Sequence, residues 1–514
     1  MTTSRRAVQV SVTAATVAAL ALATGPAIAE TSTGPSTTVA PYVAPVAPGV
    51  DITSLLTVGD RTTSDGYRMV GIPDGLGANK QRGDLVVFEN QELRETLGVT
   101  RRHGQTGAFV SRFVIDRRTG EVKSGSDLID PGVRYWNYQT GTYSAVPVAP
   151  TGAVGGHTPQ FSRFCSGALT ERGQLRNRGV GYDGQIYFAN EESGDEGRVF
   201  GVTTAGEAYQ LPRLGLFSWE NTLAADTRSD TTVVMGNEDG GSGQLRAYVG
   251  TKKRSGSPVD KAGLTNGQLN VINVPSAKNA TSSATYGKGQ IRPFELAPVD
   301  WNKSGTLQNA EAATAGSTFN RIEDGHFDPR NPDDYYFLTT EGGDKTASPI
   351  EPTNSVRDGG GLWRLSFTDV KRPQLGGTLT LLLDGTESPF LNKPDNMTID
   401  GRGNLLIQED PGNNAHLARI LSYRIDDGAI GILARFDAAR FSAPATGSAP
   451  APGFITTDEE SSGIIEIAKG EFLFDAQIHK ANPDPELVEE GQLLRMSVDD
   501  WDAVYGDDDD EDEG

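Results

Sequence analysis

The chain has 514 residues, of which 46 are basic and 68 acidic, for a formal net charge of −22. That balance excludes nucleic acid as a partner and favours cations, although it also suits solubility in salt. A single cysteine, Cys165, excludes an intramolecular disulfide.

In chain order, Arg5 and Arg6 precede the apolar stretch "VSVTAATVAALALA" and then "AIA" at 27–29. These are the three regions of an export signal, so residues 1–29 are expected to be removed, leaving a mature chain that starts near Glu30 and is secreted. A membrane span is the weaker reading, because the stretch is rich in small residues and shorter than the roughly 20 apolar residues a spanning helix needs. The paired arginines leave the Sec and twin-arginine routes both open. Without them the balance becomes 44 basic residues against 68 acidic, or −24. Residues 30–49, rich in Ser, Thr, Pro and Ala, are expected to form a flexible linker. The folded body is placed at 50–505. Residues 506–514 carry "DDDDEDE" and should be a tail disordered by self-repulsion, serving either as a solvating segment or as a weak Ca²⁺ or surface contact.

Within the body, short runs of Val, Ile, Leu, Phe and Tyr alternate with Gly, Asp and Asn, and the 62 glycines leave few helix-length patterns. One short helix is predicted in 306–319. A unit recurs six times: a glycine turn, an apolar strand, a cluster of acids or amides, a loop, and a second strand. The copies are "GDLVVFENQE" with "GAFVSRFVID", "GQIYFANEES" with "EGRVFGVT", "TTVVMGNEDGGSGQLRAYVG", "DDYYFLTTEGG" with "GGGLWRLSF", "GNLLIQEDPGN" with "ARILSYRID", and "GEFLFDAQIHK" with "GQLLRMS". The prediction is an all-β, six-bladed β-propeller with loop insertions.

In a propeller, equivalent strand ends converge on one axis. Glu89, Glu191, Glu192, Glu238, Asp239, Glu341, Glu409, Asp410 and Asp475 are therefore expected around a central channel, with about half of them only capping loops. Crowded carboxylates need counter-charge, and oxygen-rich clusters suit Ca²⁺. Signatures such as HExxH, GxxxxGK[ST], GxSxG and CxxC are absent. Of the five scattered histidines, His479 is the best candidate, because its strand carries a convergent position. A lone exported thiol is either a small buried residue or a metal ligand.

The segments "FSRFCSGALTE", "GLFSWENTLAAD", "FNRIEDGHFDP", "LNKPDNMTIDGRGNLLIQED" and "FITTDEESSGIIEI", in that order, resemble the PhoX-type alkaline phosphatase family over about residues 70–500. The resemblance implies a secreted, monomeric enzyme that hydrolyses small-molecule phosphate monoesters, with two iron ions and several Ca²⁺ ions. It makes Cys165 the iron-bridging thiolate, Glu220 and Glu323 iron ligands, Arg321 the phosphate clamp, and Glu191 and Glu192 Ca²⁺ ligands. Asp395, Glu409 and Asp410 match further calcium or active-site positions. Metal chemistry agrees, since a dianionic ester can enter so acidic a site only if metal ions reverse its sign. Three departures stand out: Trp219 replaces the family's histidine before Glu220, Ile322 replaces its proline, and a long polar link joins Cys165 to Glu191. Two other readings stay open, a non-catalytic calcium-binding propeller with a surface ligand and a calcium-dependent lactonase-like hydrolase.

Overall fold

The computed structural model describes residues 29–278, 280, 282–341, 360–412, 416–444 and 448–506. Most of the expected export signal and nearly all of the acidic tail lie outside these residues. The described chain is almost entirely antiparallel β-structure, in five sheets of four to nine strands and two two-stranded ribbons.

The first sheet runs Pro73–Gln81, Asp84–Gln91, Phe109–Asp116, Val122–Asp127, and the second Phe164–Leu169, Ile186–Glu191, Val199–Thr203, Ala208–Gln210. The third has nine strands. Its edges are Trp219–Ala224 and Ile322–Phe327, and Ile291–Val299 pairs on one side with Gln268–Asn273 and on the other with Gly377–Leu383. The fourth opens with Pro394–Ile399 and the fifth with Glu459–Ala468. The six strands that begin these units, at Pro73, Phe164, Trp219, Ile322, Pro394 and Glu459, contact one another in a closed cycle, a propeller-like arrangement.

Apolar layers fill the wedges between neighbouring units. Val86 and Phe88 pack with Tyr187 and Phe200, Phe188 with Trp219 and Tyr248, and Met235 with Phe337 and Trp363. Leu338 packs with Leu405 and Ile407, Leu406 with Phe474 and Leu494, and Leu473 with Val87 and Phe113. Because each unit is covered on both faces, its strands read as nearly continuous apolar runs, and the polar residues are left for the strand ends.

The expected linker is ordered, which corrects the reading of 30–49. Glu30–Thr33 lies parallel to Val50–Thr57, and Val43–Pro45 pairs with the outer strand of the fourth sheet, Val43 opposite Phe436. Its composition is polar, yet Tyr42, Val43 and Ala47 are buried and the Tyr42 amide donates to Gln492 Oε1 at 2.8 Å. Val50–Thr57 itself completes the fifth sheet against Glu489–Val498, so the start of the body closes onto its end. The predicted helix forms at Gly305–Ala315.

Candidate metal and phosphate site

Six copies of one local geometry build the centre. The residue just before each opening strand accepts a backbone hydrogen bond, 2.9–3.1 Å long, from an amide near or just past the end of the partner strand. The donors are Glu92, Glu192, Asp239, Thr340, Asp410 and His479, and the respective acceptors Ile72, Arg163, Ser218, Arg321, Lys393 and Asp458. Strand alternation does the rest. The first residue of each opening strand turns toward the core, as Phe164, Trp219 and Ile322 do. The second residues form a ring at the axis: Asp74, Cys165, Glu220, Glu323, Asp395 and Glu460. The donor residues form a second ring over it, and the acceptor residues form the rim.

At four of the six rim positions the backbone is left-handed, with φ of 54° at Ile72, 49° at Arg163, 57° at Arg321 and 46° at Lys393. Such a conformation costs about 1–2 kcal/mol per non-glycine residue, and here it turns the chain sharply into the opening strand. A register irregularity directly follows the start of five opening strands. Bulges of this kind re-aim side chains.

The two rings hold nine carboxyl groups (Asp74, Glu92, Glu192, Glu220, Asp239, Glu323, Asp395, Asp410, Glu460) and one thiol, faced by Arg163, Arg321, Lys393 and His479. Three sets bring ligand atoms within 4.8 Å of one another: Asp74, Glu92 and Cys165; Cys165, Glu192 and Glu220; Glu220, Glu323 and Asp395. Cys165 and Glu220 each belong to two sets, so the three form one chain of donors. Cys165 Sγ lies 3.3 and 3.2 Å from the two Glu220 oxygens. Thr340 Oγ1 donates to Glu323 Oε1 at 2.5 Å, and Ser166 Oγ to Glu220 Oε1 at 3.2 Å.

Burial, reinforced by neighbouring carboxylates, pushes Asp74, Glu220 and Asp395 well above the usual carboxylate range, and the Cys165 thiol upward as well. The same causes bring Glu323 to about 8 and Glu460 to about 7. Burial alone would lower His479, but its contacts with Glu460 and Glu489 hold it at about 11, so it is a cation. Such an array, buried and dominated by one sign, could receive cations: bound metal ions would restore ionised ligands. Carboxylates with a thiolate are a donor set for divalent or trivalent metals, so the residues present fit the group.

Seven of the ten predicted metal ligands, Cys165, Glu192, Glu220, Asp239, Glu323, Asp395 and Asp410, come together here under Arg321. Glu191, Glu238 and Glu409 do not. Each is the last residue of its strand, one position before a ring member, so the pleat turns it away from the axis onto a buried arginine. Arg198 Nε and Nη2 hold Glu191 at 2.7 Å each, Arg246 holds Glu238 at 2.9 Å, and Arg419 holds Glu409 at 2.9 and 2.7 Å. Glu409 also meets His416 at 2.9 Å. Of the other acids expected to converge, Glu341 is bound by Ser283, Glu89 accepts from Gln91 at 2.6 Å, and Asp475 is buried beside Glu89.

The sequence reading missed Asp74, Glu92, Arg163, Lys393 and Glu460. For the two cations a signal was present: a basic residue two positions before an acid or thiol recurs as Arg163–Cys165, Arg321–Glu323 and Lys393–Asp395. The departures from the family pattern prove remote. Trp219 and Ile322 face the core, and the long link after Cys165 reaches the far mouth of the channel, where Glu171 to Gln174 line a cavity of about 610 Å³. The third residues of the opening strands, including Ser166, Asn221, Asp324 and Asn396, form a polar floor above it, with Asn221 donating to Asp324 and Asn396 Nδ2 to Ser166 Oγ at 2.6 Å.

Fold and site together define an all-β hydrolase whose centre is a buried ring of carboxylates and one thiol under an arginine. Residues 188–464, more than half of the chain, match the family model of the alkaline phosphatase PhoX, and the chain belongs to that family as a phosphatase. Cys165, Arg163, Asp74 and Glu92 precede the matched stretch. Among solved structures, Pseudomonas fluorescens PhoX in complex with vanadate, a transition state analogue, superimposes with a TM-score of 0.61 at 13% identity, over 88% of this chain and 96% of that one. The PQQ-bound aldose sugar dehydrogenase of Streptomyces coelicolor covers 88% of this chain and 100% of its own at 11% identity, with a TM-score of only 0.34. No curated protein matches this sequence. No helix among the described residues is long and apolar enough to cross a membrane.

Proposed function

We propose that this protein is a secreted, monomeric, metal-dependent phosphatase that hydrolyses small-molecule phosphate monoesters at the centre of a six-bladed propeller. The observation that carries the reading is the chain of three donor sets sharing Cys165 and Glu220, with Arg321 beside it. The closed cycle of six opening strands, with six interleaved apolar layers, supports the blade count.

Cys165, Glu192, Glu220 and Glu323 would hold iron, the thiolate being the soft donor, while the all-oxygen positions Asp74, Glu92, Asp239, Asp395 and Asp410 suit Ca²⁺. Bound metals would supply positive charge to polarise the phosphoryl group and to lower the pKa of a coordinated water. The chain's own residues set the geometry around them. Arg321 is held by Asp239 through Nε at 3.0 Å and Nη2 at 3.2 Å, and it lies 3.3 Å from Glu323. Its Nη1 is left to meet phosphate oxygens with a planar, charge-assisted donor. Thr340 and Ser166 fix the carboxylates of Glu323 and Glu220, and His479 offsets the negative charge at Glu460.

The test is elemental mass spectrometry on protein purified without chelator, together with release of p-nitrophenol from p-nitrophenyl phosphate. Iron near two per chain with Ca²⁺-dependent turnover is expected. Calcium without iron and no turnover would replace this reading with a calcium-binding propeller.

A further inference from the structure

Arg163 and Arg321 occupy the same position in different units: each is a rim residue, each has left-handed φ, and each precedes a ring residue by two. Ser218 is the rim residue between them, so no large side chain separates the two arginines on the rim. Arg163 Nε donates to Glu92 at 2.7 Å, Nη1 to Glu192 at 3.0 Å, and Nη2 contacts both carboxylates. Of its five N–H groups, one on Nη1 then has no protein acceptor among the described residues. The Arg163 and Arg321 side chains are 32% and 38% exposed and His479 is 31% exposed, whereas Lys393 is only 6% exposed; His479 is taken up by Glu460 and Glu489, so the two guanidinium groups are the solvent-reaching cations with a planar donor to offer. Arg163 contacts Glu92 of the Asp74/Glu92/Cys165 set and Glu192 of the Cys165/Glu192/Glu220 set, and Arg321 contacts Glu323 of the Glu220/Glu323/Asp395 set.

We propose that Arg163 is the second arm of a phosphate clamp, gripping the phosphoryl group from across the Ser218 position that separates it from Arg321 and thereby selecting monoesters over diesters. The proposal rests on the phosphatase reading above. A monoester carries three non-bridging oxygens and two negative charges, enough to meet both arginines and still face the ring. A diester has two such oxygens and one charge, and its second ester group must take the place where one arm would bind. Two guanidinium groups flanking the site therefore recognise the terminal phosphate itself and leave the alcohol portion unread.

The test compares R163Q and R163K with the parent enzyme in three measurements: metal content, the Kd of inorganic phosphate by equilibrium dialysis, and kcat and KM for p-nitrophenyl phosphate against bis(p-nitrophenyl) phosphate. In R163Q the expected result is unchanged metal content, a phosphate Kd and a monoester KM raised by about tenfold or more, as loss of a charge-assisted contact implies, and diester kinetics that change far less. R163K should fall between, because it keeps the charge and loses the fork. Unchanged Kd and unchanged monoester preference with metals retained would overturn the proposal. If R163Q loses metal, R163K decides: retained metal with a raised KM supports the clamp, while retained metal with parental KM, or metal loss in both, assigns Arg163 to holding Glu92 and Glu192 only. A parent protein that binds phosphate but turns over neither ester fails the phosphatase reading, and the phosphate Kd of the variants then still judges the arginine.

Discussion

Glu220 Oε2 lies 3.2 Å from Cys165 Sγ, and these two residues link all three donor sets of the centre. Replacing Cys165 by Ser keeps a small polar group and removes the soft donor. Iron content should fall, with any visible absorption of a thiolate–iron bond, and activity should drop by more than the roughly 10–100-fold typical when only a ligand's supporting partner is lost. Elemental mass spectrometry and an absorption spectrum check this; full iron and full activity would return Cys165 to a packing role.

Adjacent glutamates should behave oppositely. Arg198→Met leaves Glu191 buried without its partner and should destabilise the fold by about 3–5 kcal/mol. Glu192→Gln should change denaturant stability little and lower metal content, because its carboxylate faces the ring. Urea unfolding and metal analysis on both variants separate the roles.

Arg321→Ala should raise KM and lower kcat for phosphate esters while metal content stays intact. Unchanged kinetics would remove Arg321 from the phosphate site.

Burial raises Glu89 and Glu459 to about 8 and, with nearby carboxylates, Glu323 to about 8 and Glu460 to about 7. A carboxyl whose folded pKa is raised keeps its proton in the folded state after the unfolded chain has lost it, so stability present at low pH is lost as pH rises through the folded value. Chelator-treated protein should therefore lose stability from about pH 4.5, the ordinary range for Glu, up to about pH 8. Metal should stabilise most at the upper end of that window. Thermal melts at pH 5 and pH 8, with and without added metal, test the sign.

Deleting residues 30–45 removes Tyr42 and Val43 from the layer between the fourth and fifth sheets. Burial of such side chains stabilises by about 1.5–3 kcal/mol each, so the midpoint of urea unfolding should fall clearly. A midpoint equal to the parent's would restore the flexible-linker reading.

The recurring strand-and-acid pattern was enough to read all-β structure and a convergent centre, and to name seven of the residues that gather there together with Arg321. It failed within the pairs Glu191–Glu192, Glu238–Asp239 and Glu409–Asp410. Both members are acidic, and composition carries no information about which faces the axis. Asp74, Glu92 and Glu460 escaped because none has a cation two positions before it, and Glu460 is further masked by its acidic neighbours Asp458 and Glu459.

The order of apolar runs, glycine turns and polar strand ends determined by itself that this chain forms stacked antiparallel units with carboxylates at one end. Those features depend on local periodicity and composition, which a sequence displays directly. Only the tertiary structure decided that the polar segment 30–49 is woven into two sheets, and that three glutamates are neutralised by buried arginines. It alone set Arg163 and Arg321 on one rim with only Ser218 between them. Such relationships depend on pleat phase and on contacts between residues hundreds of positions apart, as where Gln492 takes the Tyr42 amide, and the closing of the strand cycle is what brings them about.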